Sequence, residues 1–216
     1  MSFRVALFDL DGTVLNTLDD LAASTNAALQ MHGMPARSTE EVRRFVGNGI
    51  AKLIEHAVPE GTDDTARAAV LESFKAHYGA HCADLTRPYD GIPQMLQALR
   101  EAGVRTAVIS NKADFAVQQL AKRYFDGLLD FALGERADIT RKPAPDMVYY
   151  TLKQLGESAD GAVYVGDSDV DILTARNAGL PAIGVCWGFR DRDCLLGAGA
   201  TSLAGTVLEL QELILG

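Results

Sequence analysis

Two aspartates separated by one leucine close the first apolar run of the chain, in "RVALFDLDGT" over residues 4–13. Val5, Ala6, Leu7 and Phe8 form a β-prone stretch, whereas Asp9 and Asp11 are poor strand formers and costly to bury unpaired. Further along, "VIS" ends in Ser110, "RKPAPD" places Lys142 ahead of a helix-like stretch, and "VYVGDSDVD" ends in Asp167 and Asp171. Carboxylates gathered at one place repel one another and raise some of their pKa values unless a cation joins them. Oxygen ligands without clustered histidine or cysteine favour magnesium over zinc or copper. Asp9, Asp167 and a backbone carbonyl near Asp11 suit part of an octahedral shell, with water and substrate oxygens completing it. Lys142 and Ser110 add a positive charge and a hydroxyl donor. Such a set suits a phosphoryl group, whose charge must be stabilised during transfer. Taken singly, each residue has a plainer reading as a turn residue, an N-cap or a solvated side chain. Their combination carries the argument.

The elements that would gather these residues can be read from periodicity. "VRTAVIS" (104–110), "GAVYVGD" (161–167) and "LPAIGVC" (180–186) read as buried parallel strands beside the first run. Between them lie amphipathic stretches, "PQMLQALREAG", "ADFAVQQLAKRY", "PDMVYYTLKQLG" and "DVDILTARNAG". Strands alternating with helices predict an α/β fold with a doubly wound parallel sheet, a Rossmann-like core. Ligands of such sheets bind beyond the carboxyl ends of the strands, where Asp9, Asp11, Ser110 and Asp167 all fall. Residues 16–84 differ, with helical periodicity throughout and no convincing strand. The expected organisation is a discontinuous core, 1–15 with 85–216, and an inserted all-helical domain over 16–84.

Composition narrows the function. The chain has 216 residues, 48% apolar, with 29 acidic and 20 basic side chains and a formal charge of -9. That balance argues against nucleic acid as a partner. No apolar stretch approaches the ~20 residues needed to cross a bilayer. The start, "MSFRVALF", lacks the pattern of a signal peptide. Cys82, Cys186 and Cys194 are scattered without CxxC spacing, which suits a reducing, cytoplasmic setting. The oligomeric state stays open.

The motifs Asp9-Leu10-Asp11-Gly12-Thr13, Ser110 in "VISNK", Lys142 in "RKPAP", and Asp167 with Asp171 in "VGDSDVDI" occur in order along the chain. In this it resembles the haloacid dehalogenase superfamily of phosphohydrolases over its whole length. The helical insert looks like that superfamily's cap of the first type. "NTLDDLAASTNAALQMHGMP", "FVGNGI" and "YDGIPQMLQALREAG" look like the phosphoglycolate phosphatase-like branch. That branch commonly has Asp where this chain has Asn16.

The resemblance implies roles. Asp9 would be the nucleophile, forming an aspartyl-phosphate. Asp11 would protonate the leaving alcohol and then activate water. Thr13 and Ser110 would hold phosphoryl oxygens, helped by the amides of Leu10, Asp11 and Asn111, and Lys142 would offset charge. Mg2+ would be held by Asp9, Asp11 and Asp167, with Asp171 acting through water or by orienting Lys142. In the insert, Gly47, Asn48 and Gly49 form either a substrate-selecting loop or a simple turn, and Arg43 and Arg44 either meet an anionic substrate or are solvated. Trp187 either lines the cavity or packs. The four histidines lie in the insert and read as surface or packing residues. The expected function is magnesium-dependent hydrolysis of a small phosphorylated metabolite. A phosphosugar mutase, a pyrophosphatase, a phosphonate hydrolase and a receiver-type signalling protein remain alternatives.

Overall fold

Every side chain of Val5–Phe8 (β1) is shielded from solvent, as befits a strand covered on both faces. The computed structural model describes residues 2–216, which fall into two units: the residues up to Asn16 with Pro88–Gly216, and Thr17–Arg87. Short strands, Leu15–Asn16 (β2) and Arg87–Pro88 (β3), mark where the chain passes between the units. Within the first unit the Tyr89 N–H donates to the Val14 carbonyl (3.2 Å), so the two crossings lie side by side.

The second unit is helical: Leu18–Met31 (α1), Thr39–Phe45 (α2), Gly49–Ala57 (α3) and Asp64–His81 (α4). Ser38 starts α2 with a reciprocal capping box to Glu41, and the Asp63 carboxylate caps α4. These side chains occupy amide groups that a helix start otherwise leaves without partners. The buried Asp20 carboxylate accepts from the N–H groups of Leu85 (2.9 and 3.0 Å) and Thr86 (2.7 Å), tying the end of the unit to α1. Among the described residues, no helix is long and apolar enough to cross a membrane.

The first unit adds Ile92–Glu101 (α5), Arg105–Ala113 (β4), Asp114–Phe125 (α6), Phe131–Glu135 (β5), Asp146–Leu155 (α7) and Ala162–Gly166 (β6). Asp169–Ala178 (α8), Ala182–Val185 (β7), Arg192–Gly197 (α9), Ser202–Ala204 (β8) and Val207–Leu215 (α10) complete it. The sheet is parallel with order β5-β4-β1-β6-β7-β8. Val5 and Leu7 share one buried face with Met147, Val148 and Leu152 of α7 and Ala175 and Ala178 of α8. The chain winds from β1 out to β5 and then returns to β6 on the other side. That reversal is the topological switch beside which open α/β sheets bind ligands.

Three strands of the six-stranded sheet depart from the sequence reading. The edge strands β5 and β8 do not stand out as apolar runs: β5 has three apolar residues before Gly134 and Glu135, and β8 is only three residues long and begins with Ser202. In addition, β4 does not stop at Ser110 but continues to Ala113, with a register shift against β5 between Ile109 and Ala113. Asn111 and Lys112 therefore belong to a buried strand end.

Candidate active site

Parallel pairing places the acidic residues. Phe8 lies opposite Val165 of β6, and the Asp9 N–H donates to the Val165 carbonyl (2.8 Å). The chain turns at once at Gly12, whose φ is +90°. A β-carbon there would collide with the Asp167 carboxylate, so only glycine lets the two loops approach. Thr13 Oγ1 then donates to Asp167 Oδ1 at 3.2 Å.

Asp9, Asp167 and Asp171 are all buried, and each offers one oxygen within 4.8 Å of the others. Lys142 enters this cluster, donating from Nζ to Asp9 Oδ1 (2.6 Å) and Asp171 Oδ1 (2.8 Å). Its backbone is pinned from β4: Asn111 Oδ1 accepts from the Lys142 N–H (2.9 Å), and Asn111 Nδ2 donates to the Lys142 carbonyl (3.0 Å). Asp171 Oδ2 accepts from the N–H (3.1 Å) and hydroxyl (2.6 Å) of Ser168, closing a capping box at the start of α8. Asp171 thereby contacts Lys142 and also belongs to the acidic cluster.

Asp167 is held from a third direction. Its Oδ2 accepts from the Phe189 N–H at 2.6 Å, in the loop after β7. A β-carbon on Gly188 would collide with the β-carbon and carboxylate of Asp167. The preceding residue, Trp187, donates its indole N–H to the Thr13 carbonyl (3.0 Å), and its ring centroid lies 6.4 Å from that of Tyr89. Trp187 thus ties the loop after β7 to the loop after β1.

Sequence reasoning missed Lys112. Its Nζ donates to Asp11 at 2.8 Å (Oδ1) and 3.1 Å (Oδ2). The only trace of it in the sequence is a lysine two polar residues beyond an apolar run, in "VISNK". Ser110 is buried, and its Oγ accepts from the Lys112 N–H (3.2 Å). In the helical unit, Arg43 and Arg44 both lean on Glu40, at 3.4 and 3.9 Å. Asn48 precedes α3, between Gly47 (φ +122°) and Gly49 (φ +79°).

The electrostatics follow from burial and crowding. Burial, together with the charges of Asp171, Asp167 and Asp11, raises the Asp9 carboxyl well above its ordinary range despite Lys142. Burial and the Asp171 charge raise Asp167 to about 7, against the hydrogen bonds from Phe189 and Thr13. Burial works against the Lys142 ammonium, but Asp171 and Asp9 prevail and hold its pKa well above normal. Three crowded carboxylates beside one lysine lack positive charge, and a hard cation would supply it. The all-oxygen donor set fits a magnesium-like ion.

The chain is similar to known phosphohydrolases over most of its length. Residues 6–185 match the family model described as haloacid dehalogenase-like hydrolase. A phosphoglycolate phosphatase of Aquifex aeolicus is 34% identical over 191 residues, 86% of each chain. An N-acetylmuramic acid 6-phosphate phosphatase of Pseudomonas aeruginosa is 32% identical, covering 88% of this chain and 84% of its own. A crystal structure from Lactobacillus delbrueckii subsp. bulgaricus, provisionally assigned as a phosphoglycolate phosphatase, superimposes with a TM-score of 0.95. It is 39% identical, with 100% of both chains covered.

Proposed function

Because the chain belongs to the haloacid dehalogenase-like hydrolase family, we propose that it is a magnesium-dependent phosphatase acting on a small phosphorylated metabolite through an aspartyl-phosphate. The broader activity, phosphoric monoester hydrolysis, follows from the family and its relatives. Family membership also separates the chain from receiver domains. One observation supports the finer reading above the rest: the buried Asp9 carboxylate, 2.6 Å from Lys142, stands among Asp167 and Asp171 with Asp11 two residues on.

An Asp9 oxygen attacks phosphorus as the ester P–O bond breaks, and Asp11 delivers a proton to the departing oxygen. Water then attacks phosphorus and gives its proton to Asp11. The bond to Asp9 breaks, inorganic phosphate leaves, and both carboxylates return to their starting states. Ser110 and Thr13, with the amides of Leu10, Asp11 and Asn111, hold the phosphoryl oxygens. Lys142 neutralises charge between Asp9 and the phosphoryl group. Asp9, Asp167 and the backbone carbonyl near Asp11 would hold a cation, which would supply the remaining positive charge.

The test is release of inorganic phosphate across a panel of phosphorylated metabolites. Turnover should vanish on exhaustive chelation and return with Mg2+. Less Mg2+ should be needed at pH 8 than at pH 6, because Asp167, raised to about 7, is increasingly deprotonated over that interval. Activity that survives chelation would overturn the metal assignment, and a wholly inert panel the phosphatase itself.

The helical unit, taken as a cap, is the proposed selector of substrate, through Arg43 and the Gly47-Asn48-Gly49 loop. Arg43→Ala and Asn48→Ala should reorder the panel by about tenfold or more between substrates while leaving the Mg2+ requirement in place. A uniform loss, or none, would assign these residues to surface and turn.

A further inference from the structure

Tyr164 is buried in β6, 1% exposed, and pairs in register with Leu7 of β1. In the sheet, β1 lies between β6 and β4. The Tyr164 hydroxyl nevertheless donates to the Ile109 carbonyl of β4, at 3.3 Å. Its side chain therefore crosses the strand that leads into Asp9, on the face it shares with Leu7, Ile109, Met147 and Val148. The Lys142 ammonium lies over this ring, 5.7 Å from the centroid. Its side-chain hydrogen bonds go to Asp9 Oδ1 (2.6 Å) and Asp171 Oδ1 (2.8 Å). Burial raises the pKa of the Tyr164 hydroxyl against the pull of Lys142, so the tyrosine stays neutral. The ring is thus the uncharged wall of the space that holds the ammonium.

That difference matters during turnover. The Asp9 carboxylate loses its charge when its oxygen bonds to phosphorus and regains it when phosphate leaves. The charged surroundings of Lys142 therefore change twice in each cycle. An aromatic face attracts a cation through its quadrupole, an attraction that does not depend on the state of Asp9. It is strongest where water is excluded, and the Lys142 side chain is 3% exposed. The bond to Ile109, long for a hydroxyl donor, fixes the direction of the ring across β1. The support stays in place while the carboxylate beside it changes.

Resting on the aspartyl-phosphate reading, we propose that Tyr164 is a positioning residue, whose ring holds the Lys142 ammonium beside Asp9 through both halves of the reaction. It acts through Lys142 and not on the substrate.

The experiment is a double-mutant cycle with Tyr164→Leu, Lys142→Met and the double variant. An activated aryl phosphate keeps the slow variants measurable, and all are compared below the melting temperature of the least stable. Tyr164→Leu should lower kcat about tenfold, the scale of one desolvated cation–π contact, while KM and Mg2+ affinity move less than about threefold. In the Lys142→Met protein the same substitution should cost less than about twofold, because the group it acts through is gone. Tyr164→Phe keeps the ring and should recover most of the loss. Equal losses from Tyr164→Leu with and without Lys142 would overturn the proposal, by making Tyr164 a support for the sheet alone. Equal losses in the Phe and Leu variants would overturn it too, by taking the role from the ring. Tyr164→Met, long and unbranched, takes the place of a leucine variant that does not fold. Each of these results leaves the aspartyl-phosphate reading standing. Absence of protein-bound phosphate from the wild type in rapid quench would instead remove that reading, and the proposal with it.

Discussion

Asp9→Asn protein should fold, melt at or above the wild-type temperature without metal, and turn over phosphate esters about 10⁴-fold more slowly, equivalent to about 5.5 kcal/mol of barrier. The substitution keeps the side chain's shape and an oxygen that can accept from Lys142, which lies 2.6 Å from Asp9 Oδ1. It removes the charge that attacks phosphorus. It also removes one member of a crowded buried set. Burial and neighbouring carboxylates already push the Asp9 carboxyl upward, so its ionised form weighs against the native state of the metal-free protein. The expected outcome is thus a loss of chemistry with no loss of fold. Asp11→Asn should behave differently. An activated aryl phosphate leaves without a proton, so this variant should still be phosphorylated and then accumulate protein-bound phosphate, for want of a base toward water. Rapid-quench measurement of bound phosphate separates the two. A well-folded Asp9→Asn protein with undiminished turnover would remove Asp9 from its role.

Gly188→Ala is the second large effect, and it touches no side chain that reacts. The new β-carbon would overlap Asp167, whose Oδ2 is held by the very next amide, that of Phe189, at 2.6 Å. One of the two must move. Overpacking of this kind costs about 1–3 kcal/mol, and misorienting a metal-binding group through its supporting contacts lowers metal affinity about 10–100-fold. Calorimetric titration with Mg2+ should show that loss, with turnover recovering at high metal. Gly197→Ala is the matched control, because a β-carbon there meets nothing within 4 Å. A Gly188→Ala protein that binds Mg2+ as tightly as wild type would show that the loop after β7 yields freely.

The residues that could be read from the chain are those whose signal is local. Asp9 and Asp167 each end an apolar run, and strand pairing alone carries both to one sheet edge. Lys142 was legible from its place before a helix and its motif, although the Asn111 clamp that aims it was not. Lys112 escaped notice because its meaning depends on Asp11, 101 residues earlier, and on a strand that runs three residues past its apolar stretch. Phe189 contributes a backbone amide, which no side-chain identity announces. The edge strands β5 and β8 were missed for a related reason: with a neighbour on one side only, they need no long apolar run.

Trp187 is the chain's one tryptophan. Because its indole N–H is bound to the Thr13 carbonyl at 3.0 Å, light emitted by tryptophan in this protein comes from a single address, the junction between the loop after β1 and the loop that steadies Asp167. The molecule therefore carries its own unlabelled optical probe, placed where a cation, an anionic ester or a covalently held phosphate would each change the indole's surroundings. Stopped-flow fluorescence can then time the separate steps of turnover in the unmodified protein.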